Sequence, residues 1–104
     1  MKRVFLFALS ALALVVACGG SSPGLYWTSY DRSCVGDSDC VPIAVATSCE
    51  CPLCNNRAIN LMDQLQYQKD QMAYEAACKG TPCSNIACPL VTAYCDGTGT
   101  CQVH

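Results

Sequence analysis

Histidine is almost missing from this chain. The single example, His104, is the last residue, so the imidazole base of Ser/His/Asp and Cys/His hydrolases has no plausible source. Basic residues are also sparse. Beyond Lys2 and Arg3 there are only Arg32, Arg57, Lys69 and Lys79. They form no cluster, which argues against a nucleic-acid partner. No apolar run reaches the roughly 20 residues of a membrane-spanning helix. The longest, residues 4–16, is broken by Ser10. Neither Asp37-Ser38-Asp39 nor Asp96-Gly97-Thr98-Gly99 carries the spaced oxygens and distal glutamate of a calcium loop. Turn formation and local hydrogen bonding explain both.

What is abundant is cysteine, with 11 in 104 residues. Ten of them (Cys34, Cys40, Cys49, Cys51, Cys54, Cys78, Cys83, Cys88, Cys95 and Cys101) fall within residues 25–104. That density exceeds the roughly 8–10% marking a disulfide scaffold. A domain of this length sits near the size where one hydrophobic core barely offsets chain entropy. Disulfides are therefore expected to decide whether it folds. Their pairing is not readable from spacing. Cys34-x5-Cys40 and Cys95-x5-Cys101 share an interval, but their contents differ and make no convincing repeat.

The eleventh cysteine, Cys18, has a different context. Lys2 and Arg3 precede the apolar residues 4–16, and small residues follow at Ala17 and Gly19, the order of a secretory signal. Val15-Val16-Ala17-Cys18 resembles the lipobox of bacterial lipoproteins. The resemblance implies a signal peptide over residues 1–17, cleavage before Cys18, and a diacylglycerol thioether on Cys18. Two or more acyl chains anchor stably where one does not. Gly19 in the next position implies the outer membrane of a Gram-negative cell. Ordinary secretion with cleavage at the same bond is the competing reading, but it leaves an odd thiol in an oxidising compartment. Residues 18–24 then form the lipidated cysteine and a Gly/Ser-rich tether, and residues 25–104 the stapled domain. Without Lys2 and Arg3 the mature chain has a net charge of −4, so the acyl chains must anchor it without help from anionic lipid.

The outline within the domain is α+β: one central helix, about residues 56–79, packed on a short antiparallel sheet of residues 41–46, 91–95 and 100–103. Asn55-Asn56 can cap the helix, and Lys79-Gly80 with Pro82 can stop it. At about 100° per residue, Ala58, Leu61, Met62, Leu65, Met72 and Ala76 share a face expected to be core, with Lys69 inside the stripe. Tyr67, Tyr74 and Cys78 lie opposite. They are read as a second packing surface tied down by a Cys78 bridge, or else a binding face. Pro42 makes its segment an edge strand or is confined to the strand's first residues, and Asp96-Gly97-Thr98-Gly99 turns a hairpin.

Three constellations could carry function. Cys51-Pro52-Leu53-Cys54, between an expected strand and an expected helix, could act as a thiol–disulfide oxidoreductase pair, although Cys49 lies close enough to scramble it. Cys49, Cys51 and Cys54 could also ligate a metal, but export favours oxidation, and neither metal nor cofactor is expected. The loop Cys78-Lys79-Gly80-Thr81-Pro82-Cys83 could present Lys79 as a small protease inhibitor does. Tyr26, Trp27 and Tyr30 are candidate contacts for a protein or glycan ligand, or else cover the sheet.

From Cys34-Val35-Gly36-Asp37-Ser38-Asp39-Cys40 through Ala93-Tyr94-Cys95 and Gly99-Thr100-Cys101, the layout resembles small cysteine-rich bacterial lipoproteins. The resemblance implies a fold and a compartment but no activity. The leading expectation is a non-enzymatic, lipid-anchored envelope protein that binds or supports a partner.

Overall fold

The computed structural model describes residues 23–104. Cys18 and the segment read as a signal lie outside them. The domain is a small disulfide-rich α+β unit with one α-helix and two two-stranded antiparallel sheets. Strand β1 (Cys40–Ile43) pairs with β2 (Arg57–Asn60), placing Val41 opposite Ile59 and Pro42 opposite Ala58. Helix α1 (Gln64–Ala77) comes after a short 3-10 turn, Leu61–Asp63. Strands β3 (Ala93–Cys95) and β4 (Cys101–Val103) form the expected hairpin.

The β1–β2 ribbon is the middle layer, because strand side chains alternate between faces. Ile43 and Ile59 point to one side, into a cluster with Leu25, Tyr30, Ala46, Tyr67 and Tyr74. Cys40 and Ala58 point to the other, against Cys101, Ala93 and Val103 of the hairpin. The helix thus covers one face and the hairpin the other. Ala58 is fully buried, and its small side chain admits the Cys40–Cys101 bridge beside it. Leu25, the first core residue, exchanges backbone hydrogen bonds with Ala46 at 2.8 and 3.1 Å.

Two expectations need correction. Residues 57–60, placed in the helix by sequence, form β2, so the helix begins later and ends at Ala77. Asn56 does not cap it. Its side chain instead bonds both the N–H and the C=O of Val45, at 3.0 and 3.2 Å. Asn60 caps the 3-10 turn that leads into the helix, its Oδ1 accepting from the Met62 N–H at 2.8 Å, and α1 itself has no side-chain cap. The sheet is also divided in two, and its first strand stops at Ile43.

The second correction concerns the helix: of the two faces expected to pack, only the tyrosine side, tied down by the Cys49–Cys78 bridge, does so. The expected core stripe faces outward: Leu61 is 46% exposed, Met62 85%, Leu65 73% and Met72 70%, whereas Tyr67 and Tyr74 are about 5% exposed. Hydrogen bonding explains the choice. Residues 44–50 have left the β1–β2 ladder, and their buried backbone groups need partners. The Tyr67 hydroxyl accepts from the Ala44 N–H at 3.1 Å and donates to the Ala44 C=O at 2.7 Å. The Tyr74 hydroxyl accepts from the Glu50 N–H and donates to the Ser48 C=O, both at 2.8 Å. Leucine and methionine could bury as much apolar surface but could not make these bonds. Burial also raises the Tyr67 pKa above the usual phenol value.

The hairpin turn is built on one carboxylate. Asp96 Oδ1 accepts from the Thr98 hydroxyl, the Thr98 N–H and the Thr100 N–H at 2.7, 2.8 and 3.0 Å. Gly99 adopts φ +81° to close the turn.

Two outcomes are expected. Tyr67→Phe leaves the buried Ala44 N–H and C=O without that partner and should lower unfolding stability by about 1–3 kcal/mol. Met72→Ala, on the exposed side, should change it by less than about 0.5 kcal/mol; chemical denaturation measures both. The bond from the Thr98 hydroxyl, followed by those from the Thr100 and Thr98 N–H groups, holds the Asp96 carboxyl at about 2, below the ordinary 3.8. Folding therefore favours the charged form, and this stabilisation is present above the unfolded value and lost as pH falls through the folded one. NMR titration of the Asp96 carboxyl carbon should give a midpoint near the lower value.

Candidate functional site

The ten cysteines form five bridges: Cys34–Cys95, Cys40–Cys101, Cys49–Cys78, Cys51–Cys83 and Cys54–Cys88. Each joins the half of the chain before the helix to the half after it. Such a set of bridges fits an oxidising, extracytoplasmic environment. Cys51 and Cys54 are bonded to separate partners rather than to each other, which weighs against their use as an exchange couple. The Sγ atoms of Cys34, Cys40 and Cys101 lie within 4.8 Å of one another. All three are engaged in disulfides, so this cluster offers no thiolate to a metal.

The aromatic trio before the first cysteine is split. Tyr30 is buried against the helix. Its hydroxyl donates to Asp70 Oδ2 at 2.6 Å and its ring meets Tyr67 edge-on. Burial first, and then the Asp70 carboxylate, raise the Tyr30 pKa well beyond the ordinary phenol range. Tyr30 is therefore a packing residue. Tyr26 is partly exposed, its ring folded so close to Gly24 that a Cβ there would collide with it.

Trp27 is the centre of what is left. Its indole N–H donates to the Ala58 C=O at 2.6 Å, fixing the ring beside β2. The Arg32 and Arg57 guanidinium carbons lie 4.8 and 5.7 Å from the ring centroid, within cation–π reach. Trp27 and Tyr26 line an open depression of about 430 Å³ with Val45, Thr47, Glu50 and Arg57. An indole surface, a five-donor guanidinium and one carboxylate suit recognition of a polar, partly anionic ligand. Sequence reasoning misses the two arginines: it puts Arg57 in a helix, and nothing in the spacing links either one to Trp27.

The other candidates have structural roles here. Lys79 is exposed at the end of the helix. Gly80 comes next at φ +87°, and the Thr81 N–H donates to the Cys78 C=O at 3.1 Å, forming a turn. Asp39 accepts from the Val35 and Gly36 N–H groups, and Asp37 accepts from the Cys95 N–H. Both serve the backbone.

The chain matches no family model, no curated protein and no solved structure.

Proposed function

We propose that this protein is a lipid-anchored component of a bacterial cell envelope, acting as a non-enzymatic binding module. The observation that carries the reading is the cysteine pairing. All ten cysteines of the domain are consumed by one another, so Cys18 has no cysteine left to pair with in its own chain. It stands instead behind Val15-Val16-Ala17, at the end of an apolar segment of signal-peptide length. A thioether to diacylglycerol accounts for that odd cysteine, and Gly19 after it fits sorting to the outer membrane.

The binding surface in this reading is the depression around Trp27. Its ring is fixed by the bond to Ala58, so little ordering is left to oppose association. Tyr26, Arg57 and Glu50 supply adjustable polar contacts for a protein or glycan ligand.

Intact mass measurement on the protein extracted from bacterial membranes tests the anchor. The expected species begins at Cys18 and carries acyl chains, and the acyl mass is lost when Cys18→Ser is introduced. A mature chain with an unmodified Cys18 thiol, recovered in the soluble fraction, would contradict the reading.

A further inference from the structure

The outward-facing apolar stripe of α1 is a surface that the domain's core does not use. Leu65, Met72 and Ala76 form one exposed stripe along α1 at about 100° per residue, and Leu61 and Met62 are exposed in the 3-10 turn that leads into it. The charges around this helix are sorted. Asp63 accepts from the Asp31 N–H and Asp70 from the Tyr30 hydroxyl, both on the buried side. Glu75 lines the cleft with Cys51 and Leu53. The only charged residue within the stripe is Lys69, and Lys79 lies just past the helix end. An acidic domain thus keeps its acids off this face and places both of its lysines on or beside it.

Chain connectivity says what lies near that face. Pro23, the first described residue, lines an open cleft with Asp70, Ala73, Tyr74 and Ala77 along one flank of α1. Pro23 is five positions along the chain from Cys18, with four residues between them, a covalent reach of at most about 18 Å. An acylated Cys18 therefore holds the helix flank within that distance of the bilayer. No helix among the described residues is long and apolar enough to cross a membrane, so contact must be made lying down.

We propose that the outer face of α1 docks on the phospholipid surface in which Cys18 is anchored. Leu61, Met62, Leu65, Met72 and Ala76 sit at the acyl boundary, and Lys69 extends its stem across them to the headgroup phosphates. The proposal rests on the lipid-anchor reading and adds an orientation to it. With this face down, one side of the domain is reserved for the membrane and the others stay open to ligand.

Met62 and Met72 are the only methionines after Met1, so they report on this face without any mutation. The lipidated protein is reconstituted in vesicles of phosphatidylethanolamine with a minority of phosphatidylglycerol and treated with chloramine-T. Mass spectrometry then tracks sulfoxide formation at each methionine. The expected result is oxidation several-fold slower than in a lipidated Leu65→Glu variant, with a Leu90→Glu variant, changed in the exposed segment between helix and hairpin, as protected as the wild type. Equal rates in wild type and Leu65→Glu, with the acyl mass present on Cys18, would overturn docking and leave the anchor standing. Protection that appears in native envelope fragments but not on pure lipid would overturn it in favour of a protein partner. Absence of the acyl mass would overturn both readings together.

Discussion

Five disulfides, each crossing from the chain before the helix to the chain after it, are the constraint on which the remaining structure depends. The apolar core is small: among the described residues the largest fully buried side chains are Leu25, Ile43, Ile59 and Cys101. Cys34–Cys95 and Cys40–Cys101 each close a sequence separation of 61 residues. In the chain-entropy model a loop of that size restricts the unfolded state by about 4 kcal/mol, comparable with much of a small domain's net stability. These two bridges hold the hairpin on the β1–β2 ribbon. The other three hold the segment between helix and hairpin, which contains no strand and no buried residue.

With the ribbon's far face taken by the hairpin, the helix can cover only the near face, and there the backbone sets the terms. Residues 44–50 wander away from the ladder and must find donors and acceptors elsewhere. Two tyrosine hydroxyls, two turns apart on the helix, provide them. The Cys49–Cys78 bridge then closes the same contact at the helix end. Hydrogen bonding thus prevailed over hydropathy in choosing which side of the helix is buried. The exposed apolar stripe is the physical consequence, and it makes that side available to a surface outside the domain.

Much of this was legible in the residues, though unevenly. Glycine and aspartate chemistry marked the hairpin turn, and Lys79-Gly80 marked the end of the helix. Strand β2 is hidden in the sequence because Arg-Ala-Ile-Asn runs straight into good helix formers behind Asn55-Asn56, a pair able to cap, whereas the residue that caps the entry turn is Asn60. Only the pairing with β1 decides between them. The tyrosine side reads correctly as a packing surface tied down by Cys78, but the apolar stripe also reads as core by default, because a tyrosine's value as a hydrogen-bonding wedge depends on a backbone segment distant in sequence. The equal Cys-x5-Cys intervals were visible but had no meaning until their partners were known: each half of one interval bonds the matching half of the other. The Trp27 site suffered in the same way, since Arg57 reaches it only through β2.

Disulfide mapping of the non-reduced mature protein, by proteolysis and mass spectrometry, tests the central claim most directly. The account predicts five linked peptide pairs joining Cys34 to Cys95, Cys40 to Cys101, Cys49 to Cys78, Cys51 to Cys83 and Cys54 to Cys88. Local pairs confined to one half of the chain, such as Cys34 with Cys40 or Cys51 with Cys54, would contradict it.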